Sequence, residues 1–343
     1  MPSIDYTLAS YSELFMLLAA FAYTIAFLAF SWDLAKSSKT IKAVESRLEQ
    51  KTAVRETVPA GAADNGSARS WDAAGSREAQ TADAGMGYTG PRRNAARVGV
   101  ALTVLAAAVH AAGVITRGMA AHRVPWGNMY EFCTTGALVV AVVFLLVLTR
   151  RDLRFLGTFV VGLVLIMMMA ATIGFPTPVA HLVPALQSYW LIIHVSVAVI
   201  ASALFTLTFA MSVLQLLQAD RETRIRSGRP ERLPFLRIVP SAQSLENLAY
   251  RINAVSFVLW TFTLMAGAVW AEQAWGRYWG WDTKEVWTFV IWVVYAGYLH
   301  ARATRGWTGT RAAWLSIVGY LCVVFNFTIV NMFFSGLHSY ADV

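Results

Sequence analysis

Apolar runs of about 20 residues recur along the chain and dictate its class. A helix rising 1.5 Å per residue needs about that many apolar residues to cross the ~30 Å hydrocarbon core of a bilayer. Eight such runs fall at roughly 11–30, 97–116, 129–149, 155–174, 189–217, 251–271, 286–303 and 312–334. With 57% hydrophobic and 14% charged residues over 343 positions, the composition excludes an ordinary soluble domain. The expectation is an all-α polytopic membrane protein of about eight transmembrane helices embedded in a lipid bilayer.

Orientation follows from the basic residues, which resist translocation and collect on the cytoplasmic side. Of 28 Lys and Arg, 24 fall in the segments 31–97, 149–154, 218–251 and 302–311, and only Arg117, Arg123, Arg277 and Lys284 fall in the alternate loops. Both termini and the 270–287 segment are therefore expected on the extracytoplasmic face. The net charge of +8 reads as a topology signal and gives no reason to expect a nucleic-acid partner.

The domain expectation has three parts: an N-terminal transmembrane anchor at 1–30, a cytoplasmic linker at 31–96, and a transmembrane core at 97–343. With no basic residue before the first apolar run and no small-residue cleavage site after it, that run is expected to stay as an anchor. The stretch 43–95, which contains PAGAADNGSARS, lacks a periodic apolar face and reads as largely disordered. Cys133 and Cys322 lie 189 positions apart within apolar runs. They form no CxxC pair, and thiol chemistry by this chain alone is not expected.

The chemistry concentrates in the stretch WGRYWGWDTKEVW, Trp275 to Trp287, with four tryptophans, a tyrosine and an Asp-x-Lys-Glu cluster in 13 residues. Two readings of the indoles are open: an interfacial belt of the kind many membrane proteins carry, or a flat aromatic surface for a cofactor. Trp270, Trp275, Trp279, Trp281 and Trp287 crowd into 270–287, and the residues alone leave both readings open. A belt predicts tryptophans at both faces.

Histidines sort by depth. His194, four residues into its run, lies about 6 Å inside the outer boundary, and His338 lies just beyond the outer end of the last run; His300, 14 residues along its run, is about 21 Å deep. Two axial ligands of one iron stand only about 4 Å apart. His300 therefore marks a separate, deeper station. A haem would need two opposed imidazoles, an aromatic surface, and cations for its propionates. The outer face offers His194 and His338, the tryptophans, and Arg277 and Lys284. His110, His122 and His181 are read as structural. Asp282 and Glu285 could orient Lys284, a histidine or a bound peptide, or cap the following helix; Asn128 and Glu131 could cap helix three or line the site.

These residues carry a resemblance. The string GAVWAEQAWGRYWGWDTKEVWTFVIWVVYAGYLHAR is similar, in register and without a gap, to the CcsA-type (ResC-type) haem-handling proteins of System II cytochrome c maturation, the tryptophan-rich WWD group. PWGNMYEF (Pro125–Phe132), LVPALQSYWLIIHVSV (Leu182–Val197) and GLHSY (Gly336–Tyr340) resemble three further blocks in the expected order, so that the likeness spans residues 117 to 340.

The resemblance implies that His194 and His338 ligate haem iron beside the WWD segment and that His300 ligates it within the membrane. It also implies that the second ligand to the inner haem comes from a Ccs1/ResB-type membrane subunit, with His110 as the intrachain alternative. Trp270, Trp275, Trp279, Trp281, Asp282, Trp287 and Arg277 complete the expected haem b site. No catalytic residue is assigned.

The implied activity is that of a holocytochrome c synthase subunit in a bacterial plasma membrane. It would move haem to the extracytoplasmic side and present it for thioether attachment to the CxxCH motif of apocytochrome c, with thiol-reducing proteins as further partners. Two alternatives stay open: a haem-delivery chaperone without synthase activity, and a redox or proton-relay membrane subunit. The 43–95 linker is longer than the resemblance leads one to expect, and no chemistry is assigned to it.

Overall fold

The computed structural model describes residues 3–56, 93–182, 186–304 and 306–338, those of 37–56 by backbone only. Among these residues all regular structure is helical. We number the helices α1 Tyr6–Glu56, α2 Asn94–Ala120, α3 Met129–Leu148, α4 Gly157–Met169, α5 Tyr189–Arg226, α6 Ala242–Trp275, α7 Thr283–Thr304, α8 Thr310–Phe327 and the short α9 Ile329–Phe333. Seven of the long helical stretches are long and apolar enough to cross a membrane, which bears out a multi-pass all-α membrane protein. The eighth expected span, α7, has 22 residues. Its Trp, Tyr and His side chains hold its hydropathy below that of the others.

One boundary differs. The linker was expected to begin at residue 31, but α1 continues through Glu56, because 31–56 holds no proline or glycine to stop it. The rest of the expected disordered stretch, 57–92, lies outside the described residues.

α1 and α2 run antiparallel and are tied at three levels. The amide of Asp5 donates to Ala120 O (3.0 Å), Ser12 Oγ donates to Gly113 O (2.7 Å), and at the opposite end buried Arg93 pairs with buried Asp33, which also accepts from the amide of Ala96 (3.2 Å). Phe30 fills the gap between α2 and α4, where a Cβ on Gly99 would stand 3.0 Å from its ring. Small residues here let the backbones close on an aromatic wedge.

The second group, α5 to α8, is bonded through polar side chains inside an apolar bundle. Thr208 donates to Asn253 (2.7 Å) and Asn253 to Ser316 (3.1 Å). At the basic end Glu246 accepts from Gln215 (3.2 Å) and the amide of Gly309 (2.8 Å) and pairs with Arg302. Each interhelical bond of this kind contributes on average about 0.6 kcal/mol in a membrane, and together they fix which faces meet.

At the tryptophan end a buried carboxylate organises the loops. Glu131 is 0% exposed and holds Arg117 (3.0 Å) and Arg123 (2.7 Å). It also accepts from the amide of Gly127 (2.8 Å). The two guanidinium groups reach on to Thr177 O (2.7 Å) and Ala180 O (2.9 Å). Asn128 caps α3 by accepting from the amide of Glu131 (2.9 Å). One acid thus pins the 121–128 and 175–180 loops together. Glu131→Ala leaves two buried cations unpaired, and a loss of about 3–5 kcal/mol is expected. It should appear as a melting temperature in detergent several degrees lower; an unchanged melting curve would contradict this role.

Candidate functional site

The tryptophan segment is built from its backbone outward. α6 ends where Gly276 turns left-handed (φ 70°), a conformation glycine adopts without a Cβ penalty. The chain then bends back to α7 through Trp281, itself at φ 59°, which is costly for a non-glycine residue and persists only where its surroundings enforce it. Glu285 supplies the enforcement. Its Oε2 accepts from the amides of Gly280 (2.8 Å) and Asp282 (3.1 Å), in the manner of a capping box. The capping expectation for Glu285 is therefore met.

Asp282 faces the other way and holds the closing segment. Its Oδ1 accepts from the amide of Leu337 (3.1 Å) and its Oδ2 from His338 Nδ1 (2.7 Å). A Cβ at Gly336 would collide with the same carboxylate. The value of Gly336 is thus the missing side chain. The His338 imidazole beside Asp282 holds its carboxyl below the usual carboxylate range.

His194, on α5, is fixed in a parallel way. Its Nδ1 donates to Thr263 O on α6 (2.9 Å), and its ring stacks on Trp270 at 5.9 Å and 9°. Gly267 leaves it room, since a Cβ there would stand 2.7 Å from His194 Cε1. His338 meets the same Trp270 edge-on at 5.5 Å and Trp275 at 4.8 Å. A carbonyl or carboxylate oxygen can only accept, so each imidazole carries a proton on Nδ1, and among the described residues no hydrogen bond engages either Nε2.

Both rings line one open cavity between the ends of α3, α5, α6, α7 and α8. Its walls are chiefly Trp126, Phe132, Leu191, Trp260, Trp270, Trp279 and Phe327. The two polar side chains that matter most beyond the histidines are Lys284, which reaches Asn331 and lies 5.2 Å from the Phe327 ring, and Glu285.

The family model described as cytochrome C assembly protein matches residues 126–338, a span that opens and closes on cavity residues. The chain is 34% identical over 264 residues to the cytochrome c biogenesis protein CcsA of Guillardia theta, covering 72% of this chain and 87% of that protein. It is 41% identical over 179 residues to the CcsA of Prochlorococcus marinus, where the match spans 47% of this chain and little more than half, 57%, of the relative.

The chain belongs to the cytochrome c assembly protein family. Within it the chain is of CcsA type, with a role in cytochrome c biogenesis, a process that involves haem.

In this CcsA-type protein the residues singled out from sequence divide into three sets. His194, His338, Trp270 and Trp279 line the cavity, and Trp275 and Asp282 support them from behind. Trp281 is 74% exposed and touches Trp279 edge-on (5.8 Å), while Arg277 is exposed with its guanidinium lying over Gly280. Trp287 packs on Phe325 (4.2 Å) of α8 and is absent from the cavity wall. His300 sits exposed on α7, near its other end. His110 is fully buried against Tyr23 between α1 and α2, and His122 is exposed in its loop.

Sequence reasoning missed Trp126, Trp260, Thr263, Gly267, Asn326 and Asn331. Trp126 alone carried a signal, since it lies in the PWGNMYEF block; the others contribute through contacts across helices that no local pattern encodes. The tight fit at Gly267 gives a test. Gly267→Ala should drive His194 off the Thr263 carbonyl and cut holocytochrome c yield at least tenfold at unchanged protein level. Gly174→Ala, with open space around it, should leave the yield as it was. Equal yields from the two variants would show that the His194 position is immaterial.

Proposed function

We propose that this protein carries haem b to the extracytoplasmic face of a bacterial plasma membrane. There, with a Ccs1/ResB-type membrane subunit, it presents the haem to the CxxCH motif of an apocytochrome c. The observation that carries the reading is the disposition of His194 and His338: two imidazoles facing one aromatic cavity, each with Nδ1 committed and, among the described residues, no hydrogen bond on Nε2. Committed second nitrogens are how proteins orient imidazole toward iron and raise its basicity as a ligand. The distribution of basic residues supports an outward-facing cavity.

The reaction adds each cysteine S–H across a vinyl C=C: a C–S bond forms at the inner vinyl carbon, the hydrogen goes to the outer one, and no net oxidation occurs. Haem is the substrate. What this chain contributes is binding and orientation, which can supply most of such an acceleration. The thiols must arrive reduced. Cys133 and Cys322 are unpaired and sit within helices, so the reductant is a thiol-reducing partner. His300, exposed on α7, would meet its haem at the surface shared with the ResB-type subunit, which supplies the second ligand.

Two measurements test this. Co-expression with the partner and a CxxCH reporter, in cells without other maturation systems, should give haem that survives denaturation; haem bound to the complex without covalent product would favour a delivery chaperone. Replacing His194 or His338 by glycine should abolish the outer bis-histidine spectrum while sparing haem at His300, and added imidazole should restore it. Loss of both haem signals, or of neither, would refute the assignment.

A further inference from the structure

We infer that Lys284, Asn331 and Trp126 form a carboxylate-binding pocket inside the cavity that takes the propionate groups of the porphyrin, a role for which the sequence had offered Arg277 and Lys284 alike. The inference rests on the haem reading above and specifies how the substrate is turned within the site.

Four cations stand at this end of the molecule, and the structure separates them. Arg117 and Arg123 are spent on Glu131. Arg277 is exposed, lies over the loop backbone and does not line the cavity. Lys284 does line it. Its ammonium has three donors, one directed at Asn331 Oδ1, and among the described residues no carboxylate pairs with it at salt-bridge distance. Of the neighbouring acids, Asp282 is held by His338 and Leu337, and Glu285 by two loop amides through Oε2, with its Oε1 buried in the cavity wall without a hydrogen-bond partner. Isolating an ammonium against the Phe327 ring is costly without an anion.

A second observation points the same way. Trp126 Nε1 is buried without a hydrogen-bond partner, and its residue lines the same cavity. An indole N–H can only donate, so the unmet group calls for an acceptor from outside the chain. Asn331 Nδ2 adds a donor whose partners are Phe327 O (3.0 Å) and the weak acceptor Met129 Sδ (3.3 Å). Glu285 Oε1 and Asn326 Oδ1 are buried acceptors without donors in the same wall, while the spare protons of Lys284 and the Trp126 N–H, set among aromatic rings beside two imidazoles, suit a flat apolar ligand with carboxylates along one edge. Anchoring that edge at the first turn of α7 turns the vinyl-bearing half away from Lys284, toward an incoming thiol.

The test compares haemin with its dimethyl ester, which keeps the macrocycle and iron and removes both negative charges. Each is titrated into the purified complex with its partner subunit and followed by the bis-histidine absorption spectrum. The wild type should bind the diacid at least tenfold more tightly than the ester. Lys284→Gln should erase that preference by weakening the diacid alone, Trp126→Phe should reduce it several-fold, and Lys284→Arg and Arg277→Gln should retain it. A wild-type preference surviving in Lys284→Gln, or lost in Arg277→Gln, overturns the pocket. Equal binding of both porphyrins by the wild type, with a bis-histidine spectrum, also overturns it but leaves the haem reading standing; no bis-histidine spectrum with either sinks both.

Discussion

Asp282 is the point on which the site's geometry depends. Its backbone amide donates to the capping carboxylate of Glu285 on the side of the loop between α6 and α7, and its own carboxylate accepts from Leu337 and His338 of the segment after α9. The last of these contacts brings a histidine from residue 338 to the wall formed by residues 263–270. Without it, His338 would sit on a short tail beyond α9 with no reason to face the same space as His194. The carboxylate works by proximity and charge, and Gly336 admits it by having no side chain.

The cavity is assembled from helix ends, and this suits exchange of a large ligand. Helix midsections in the second group are locked by buried amides and hydroxyls such as Asn253 and Ser316, whereas the tryptophan end is closed by loops that Glu131 and Glu285 hold from within. Trp270, 1% exposed, touches both imidazoles, so the two ligand positions share one rigid reference. A displacement of either ring is felt by the other through that indole.

Fold class was legible from the chain because apolar length is a local property, and seven of eight expected spans meet the length and apolarity of membrane crossings. α7 was the marginal one for a chemical reason: its buried face carries tyrosines such as Tyr295 and Tyr298 that pack against neighbouring helices. The histidines could be ordered by depth because depth is sequence distance times helical rise. Their orientation could not, since Thr263 O and Asp282 reach them across 69 and 56 positions. Tryptophan spacing marked the segment without telling which rings face inward. Trp287 and Trp281 match the motif as well as Trp279 does, yet only Trp279 of the three lines the cavity, because the left-handed turn at Trp281 reverses the chain between them.

The buried pair of Asp33 and Arg93 joins α1 to the start of α2 across 60 positions of sequence. That pair, with the contacts at Asp5 and Ser12, sets the register of α1 against α2, so the register belongs to the helices themselves. A change of length between residues 56 and 93 should therefore leave the cavity at the far end of the bundle where it stands.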